Sequence, residues 1–227
     1  MWLRKDLKLR AKEAVSRNYW KTVLVSALFS LIFSGGSFFT FKLGDADEII
    51  DDIFYAFPFG LFFMFIAGLL LIAAVILFII FIVNPLQVGI SKFRINAINN
   101  LGNISDVGTG YDVSYKRNAE TIFMMNLFIF LWSLLFIVPG IVKLYEYSMV
   151  PYIIAEDPNI SRKDAFLKSK KMMSGNKWRA FVLTLSFIPW YILGALTFGV
   201  VTLLYVQPYH QLTSAALYEE LKKNSIG

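Results

Sequence analysis

Cysteine is absent from the 227 residues and histidine occurs once, at position 210. These shortages exclude disulfides, thiolate metal sites, a cysteine nucleophile and imidazole-rich zinc or iron centres. No cofactor is expected. Charge is also missing over long runs: with His210 neutral, no residue from 57 to 83, from 121 to 142 or from 180 to 218 carries one. Catalytic signatures are missing too. Gly108-Thr109-Gly110 completes neither a P-loop nor a dinucleotide fingerprint, and no serine has a nucleophile-elbow context. The expectation is a protein that is not an enzyme.

What the chain has in excess is apolar surface. It is 57% hydrophobic and 17% aromatic, with a mean hydropathy of +0.58, whereas a soluble domain is about half apolar. A bilayer core of roughly 30 Å takes about 20 helical residues, so the uncharged runs read as crossings. Leu69 to Leu77 is apolar on all sides, which excludes the alternation of a β-barrel strand. The fold expected is all-α: a single polytopic transmembrane helical bundle with basic amphipathic interfacial helices. Six crossings fit, at 22–40, 56–83, 120–138, 140–156, 179–194 and 198–217. They form three hairpins, over 22–83, 119–156 and 179–220, linked by cytoplasmic segments at 84–118 and 157–178. The splits fall at Pro139-Gly140 and around Gly194 to Gly199, where the residues end a helix and permit reversal.

The basic residues set the orientation. Seven lie in residues 1–21, four in 84–118, seven in 157–179 and two at Lys222 and Lys223, leaving only Lys42 and Lys143 elsewhere. The positive-inside rule places those four segments, and both termini, in the cytoplasm of a cell-membrane protein. The net charge of +6 then reports topology, and no nucleic-acid partner is expected. Asp45, Asp47, Glu48, Asp51 and Asp52 crowd the first external loop. They read as a solvated loop, because a flexible loop lacks the fixed geometry of a calcium site.

Residues 8–28 resemble residues 166–186 at an offset of 158, with Asn18, Trp20 and Lys21 matching Asn176, Trp178 and Arg179. Each copy has a basic amphipathic segment leading into an apolar helix. Leu3, Leu7, Ala11, Ala14 and Val15 share one face of the first; Ala165, Phe166, Ser169, Met172 and Met173 share one face of the second. Both segments are expected to lie among lipid headgroups, with anionic lipid facing their lysines. Trp20, Lys21, Trp178 and Arg179 are the expected interfacial anchors. Ser161 and Asp164 have capping-box spacing at the start of the second segment. Pro85, Pro151 and Pro208 sit near the inner end of the second helix of each hairpin, which hints at a threefold repeat.

Polar groups inside the crossings are few. Lys143 and Glu146, spaced i, i+3 near the outer end of the fourth, are the first candidates for a polar site, with snorkelling to the surface as the plainer account. Ser26, Ser30 and Ser34 join Thr22 and Ser37 in a hydroxyl stripe on the first crossing, suited to close helix packing or to a polar pathway. His210 reads as an interfacial hydrogen-bonding group.

Several separated motifs occur in order: Asn18-Tyr19-Trp20-Lys21, Pro139-Gly140-Ile141, Tyr147-Ser148-Met149, Tyr152 to Pro158, Ser169 to Trp178, Ser186 to Trp190 and Pro208-Tyr209. In these the chain resembles a bacterial integral membrane family catalogued as domain of unknown function 975. The resemblance implies a bacterial polytopic membrane protein and carries no established activity to any residue. The leading expectation is a non-enzymatic protein acting through lipids or a membrane-protein partner. The alternatives are a small-solute transporter or channel, and a factor protecting the membrane.

Overall fold

The computed structural model describes residues 2–34, 60–112 and 114–226, with the backbone alone at 31–34, 60, 61 and 226. Lys42, the acidic residues at 45–52, Ser37 and the side chain of Ser34 lie outside what is described. The described chain is helical, without a strand. It begins with α1 (Arg4–Arg17) and α2 (Tyr19–Ser34). Helix α3 (Gly60–Phe78) passes through a π-helical turn (Ile79–Val83) straight into α4 (Asn84–Ile98), and a 3₁₀ helix (Ile104–Tyr111) follows. Next come α5 (Tyr115–Leu135), α6 (Ile137–Tyr147) and α7 (Val150–Glu156). Helices α8 (Arg162–Met173), α9 (Lys177–Leu185) and α10 (Ile188–Leu196) lead through a second π turn (Thr202–Val206) to α11 (Gln207–Ile226).

Three of these stretches are long and apolar enough to cross a membrane: Phe62–Ile98, Tyr115–Leu135 and Lys177–Leu196. The first is 37 residues, or about 55 Å of helix, nearly twice the bilayer core. Its exposure divides it. None of residues 62–82 is buried, whereas from 83 to 97 all but Gln87, Lys92 and Asn96 are buried. The exposed part is about 31 Å long, the thickness of a hydrocarbon core.

That division recurs at each of the three prolines noted in the sequence. The chain becomes buried at Val83, Met149 and Val206, in each case two residues before Pro85, Pro151 and Pro208. A proline inside a helix has no N–H for the carbonyl four residues back, and its ring crowds that carbonyl. Before Pro85 and Pro208 the helix opens as a π turn, and before Pro151 it breaks between Tyr147 and Val150. The carbonyls freed ahead of Pro85 are taken up by tyrosines: Tyr115 donates to Phe81 O at 2.8 Å and Tyr111 to Ile82 O at 2.5 Å.

Beyond the prolines lies a protein core built from α1, α4, α7, α8 and α11, with Leu7, Phe93, Ile153, Met173, Leu212 and Tyr218 fully enclosed. Tyr218 donates to Glu156 Oε2 and Lys222 to Glu156 Oε1, both at 2.8 Å, which ties α11 to the end of α7. Burial and that carboxylate push the Tyr218 hydroxyl far above its ordinary value, so it stays a donor. Ser161 caps α8 as its spacing predicts, accepting from Asp164 N at 3.1 Å.

Three expectations change here. Three continuous apolar spans are found among the described residues, so the six crossings are not confirmed: the first, at 22–40, runs outside the described residues, and the fourth, at 140–156, breaks after Tyr147 and buries residues 150–155. The reversal at Pro139-Gly140 occurs instead at Phe136, which is extended (φ −156°, ψ 142°). Pro139 then occupies the first turn of α6, where its missing N–H costs no hydrogen bond, and Gly140 lets α6 lie against Ser133. The apolar faces of α1 and α8 do not lie open to headgroups: Leu7, Ala11, Ala14 and Val15, and Ala165, Ser169, Met172 and Met173, are buried in protein. Each stripe is periodic because it faces a core, which headgroup contact would demand equally. The turn expected between Gly194 and Gly199 is present, with Phe198 and Gly199 at positive φ.

The 3₁₀ helix closes on α4 through Gly89 and Gly110, where a Cβ would stand 1.9 Å from Val107 O and 1.9 Å from Pro85 O. Gly89→Ala should therefore destabilise the protein by about 1–3 kcal/mol through overpacking against backbone. Gly108→Ala, which meets nothing within 4 Å, should leave the thermal unfolding midpoint of the detergent-purified protein within about 1 °C of the parent.

Candidate functional site

Where the helices converge beyond the prolines they leave a partly enclosed cavity of about 190 Å³. Its walls come from α2, α4, the α6–α7 junction, α9 and α11. On α4, Gln87, Ser91 and Arg94 follow one another at spacings of four and three, so all three project from one face. From α11 come His210, Thr213 and Ser214, and from α9 Thr184. The hydroxyls are held by their own helices: Ser91 donates to Gln87 O at 2.9 Å, Thr213 to Tyr209 O at 2.8 Å and Ser214 to His210 O at 3.2 Å. His210 is fixed by its Nδ1 contact with the Tyr191 hydroxyl at 2.8 Å and by stacking on Phe187.

Arg94 stands apart within this lining. It is only 8% exposed, its guanidinium lies 4.6 Å from the Phe29 ring centroid, and its Nε and Nη2 find no acceptor within the protein. Gln87 Oε1 is likewise buried without a donor.

Lys143 and Glu146 form a second polar cluster, and it differs from the one expected. Glu146 is 3% exposed and pairs with Lys143 at 2.8 Å, but also with Lys177, from the start of α9, at 2.5 Å. Ser169 of α8 donates to the Glu146 backbone oxygen at 2.7 Å. The pair therefore lies at the end of α6 beside the basic segment. It locks α6, α8 and α9 together. The described hydroxyls of the α2 stripe are packing contacts. Ser26 donates to Gln211 Oε1 at 3.0 Å across to α11, while Thr22 and Ser30 donate to Asn18 O and Ser26 O of their own helix.

The proposed anchors are paired as the repeat implies. Trp20 and Trp178 are 71% and 72% exposed, and their neighbouring cations reach back into protein. Lys21 donates to Gly102 O at 3.2 Å, and Arg179 stacks on Trp2 and donates to its carbonyl. Asn18 and Asn176 mark the equivalent helix junctions, and Trp2 Nε1 donates to Asn176 Oδ1 at 3.0 Å. Among the described residues no three histidine, aspartate or glutamate side chains converge as metal ligands.

A family model described as "Protein of unknown function (DUF975)" matches residues 4–225. The chain belongs to the DUF975 family. Comparison with curated proteins and with solved structures gave no match. The resemblance in the separated motifs thus extends over almost the whole chain, and the cavity and the Glu146 cluster both lie inside the matched residues of this DUF975 protein.

Arg94 is the residue that sequence reasoning missed. It was counted with the cytoplasmic charges of 84–118, although Gln87, Ser91 and Arg94 already stood at helical spacing on one polar stripe. The stripe is a usable signal once residues 84–98 are known to be helix. For the Glu146 cluster, Glu146→Ala would leave two partly covered lysines without a counter-charge and should lower stability by about 2 kcal/mol. Glu146→Gln should lose less, because it keeps one acceptor for a lysine. Unfolding in detergent checks both, and equal effects would refute an ionic lock.

Proposed function

We propose that this protein is a multi-pass protein of the bacterial cell membrane, with both termini cytoplasmic, that binds a small polar solute in the cavity around Arg94 and performs no chemistry on it. The cavity carries this reading. Polar side chains from α4, α9 and α11 line one small volume inside an otherwise apolar helical core, and two of them, Arg94 and Gln87, have buried polar atoms without a partner in the protein. A core built only for stability would fill such a space with apolar atoms, since each unsatisfied buried group costs about 1–3 kcal/mol.

The membrane placement is supported by the exposed length of residues 62–82 and by the distribution of charge. Lys143, bridged through Glu146 to Lys177, now joins the basic segments, which leaves only Lys42 apart from them. The layer beyond the prolines is therefore the cytoplasmic one under the positive-inside rule, and the cavity opens in that layer. Solute handling at the membrane, the transporter-like alternative of the sequence reading, gains more from this geometry than action through a protein partner does.

A second reading has its own observation. Lys170, Lys171 and Lys177 flank a shallow depression of about 580 Å³ beside the exposed Trp178. Lysines ringed by an interfacial tryptophan suit the headgroup of an anionic lipid. The paired substitution of Lys170 and Lys171 by Gln should reduce the phosphatidylglycerol retained on the protein in native mass spectrometry. Retention equal to that of the parent would remove this reading.

The cavity reading is tested by screening small polar solutes of each charge type for their effect on the unfolding midpoint of the purified chain. At least one should raise the midpoint, and Ser214→Leu, which places an apolar side chain into the cavity, should abolish that rise. A solute response unchanged in Ser214→Leu would sink the proposal.

A further inference from the structure

Resting on the cavity reading, we infer that the solute is a small anion, a carboxylate or phosphate group gripped by the free edge of the Arg94 guanidinium. The two nitrogens without partners, Nε and Nη2, are neighbours on one side of the planar group. Their N–H bonds run parallel and match the two oxygens of a carboxylate or phosphate. A random packing fault would leave scattered donors. Here both donors of one bidentate edge lack a partner while covered by protein, so an anion would engage them by displacing the side chains that cover them.

The charge argument is separate from the shape argument. Among the described residues Arg94 belongs to no ion pair, whereas the part-buried Lys143 and Lys177 share Glu146 and Lys222 has Glu156. Contact with the Phe29 ring at 4.6 Å covers one face of the guanidinium without neutralising it. The Tyr152 hydroxyl beside the guanidinium is a neutral partner, so the enclosed charge has no counter-charge; that is costly, and a bound anion would remove the cost. A cationic solute would instead meet the guanidinium at close range.

The remaining lining narrows the ligand further. Hydroxyl groups of Ser91, Thr213 and Ser214 now donate to their own helices, and each can rotate to donate to an anion. Gln87 Oε1 is an acceptor without a donor, which suits a ligand with a hydroxyl or protonated oxygen beside its anionic group. A space of 190 Å³ corresponds to about six water volumes, enough for phosphate, acetate or a small hydroxy acid. Such a group reaches the site either as a free solute or as the phosphate of a lipid headgroup entering from the membrane side.

The experiment uses the full chain in phosphatidylcholine nanodiscs at constant ionic strength. Acetate, glycolate and inorganic phosphate are titrated against methylammonium and glycerol, and phosphatidylglycerol discs form a separate arm. The unfolding midpoint should rise with at least one anion. Arg94→Gln should weaken the apparent affinity by about tenfold or more, and Arg94→Lys, which keeps the charge and loses the edge, by a smaller factor. Without anion, Arg94→Gln should unfold no earlier than the parent, because it removes an uncompensated charge; this also shows that the variant folds. A rise with phosphatidylglycerol alone, lost in Arg94→Gln, supports the same chemistry with the headgroup as its source. An anion response that persists in Arg94→Gln overturns the assignment. A response to methylammonium or glycerol with none to anions also overturns it and leaves the cavity reading standing, whereas silence in every arm removes both.

Discussion

Three missing hydrogens organise this protein. A helix that crosses lipid must satisfy every backbone group within itself, so a proline can interrupt it only where protein is near enough to take over the orphaned carbonyl. Pro85, Pro151 and Pro208 all stand two residues past the point at which the chain enters protein. At Pro85 the substitutes are visible, since the Tyr115 and Tyr111 hydroxyls accept the duty of the absent N–H. Nearer the membrane the same interruption would leave a carbonyl in hydrocarbon. The prolines thus fix how far each helix can stay lipid-like, and the widened turns beside them turn the continuing chain into the core.

From this follows the division of labour along the molecule. On the lipid-like side the helices are exposed and almost featureless, as α3 is from Phe62 to Phe78. On the other side they are buried, polar groups are frequent and the basic residues cluster. Gly89 and Gly110 let the 3₁₀ helix close on α4 just past Pro85, and the Glu146 cluster fastens α6 to the segments that follow α7. Buried ion pairs of this kind add little net stability over a well-packed apolar alternative. Their contribution is to specify one arrangement of helices that apolar contacts alone would leave free to slide.

Much of this was legible in the sequence because it depended on period and composition. The apolar runs, the Asn-Trp-cation repeat, the Ser161 cap and the turn before Gly199 need only local information, and the structure has them. Burial was less legible. A stripe such as Leu7, Ala11, Ala14 and Val15 has the same spacing whether it meets lipid or α11, and hydropathy does not distinguish the two. Nor does sequence distance reveal that Lys177 lies beside Glu146, so the third member of that cluster could not be read from spacing. The break at Phe136 carries no glycine or proline, and its cause is the proline three residues later, which is tolerated only inside the first turn of a new helix.

Arg94 shows why charge counting fails at one particular place. The positive-inside rule treats every lysine and arginine as solvent-facing, and for nearly all of them on the basic side that is adequate. A guanidinium at the centre of a helical core obeys a different balance, since its cost grows as water is removed and falls only when acceptors replace it. Phe29 excludes water without accepting a hydrogen bond, which raises that cost. Stability alone would favour an apolar residue at position 94, where Ile90 and Ala97 on the same helix already supply apolar packing. A residue that costs stability and is nonetheless surrounded by rotatable hydroxyls is best accounted for by what it is positioned to hold.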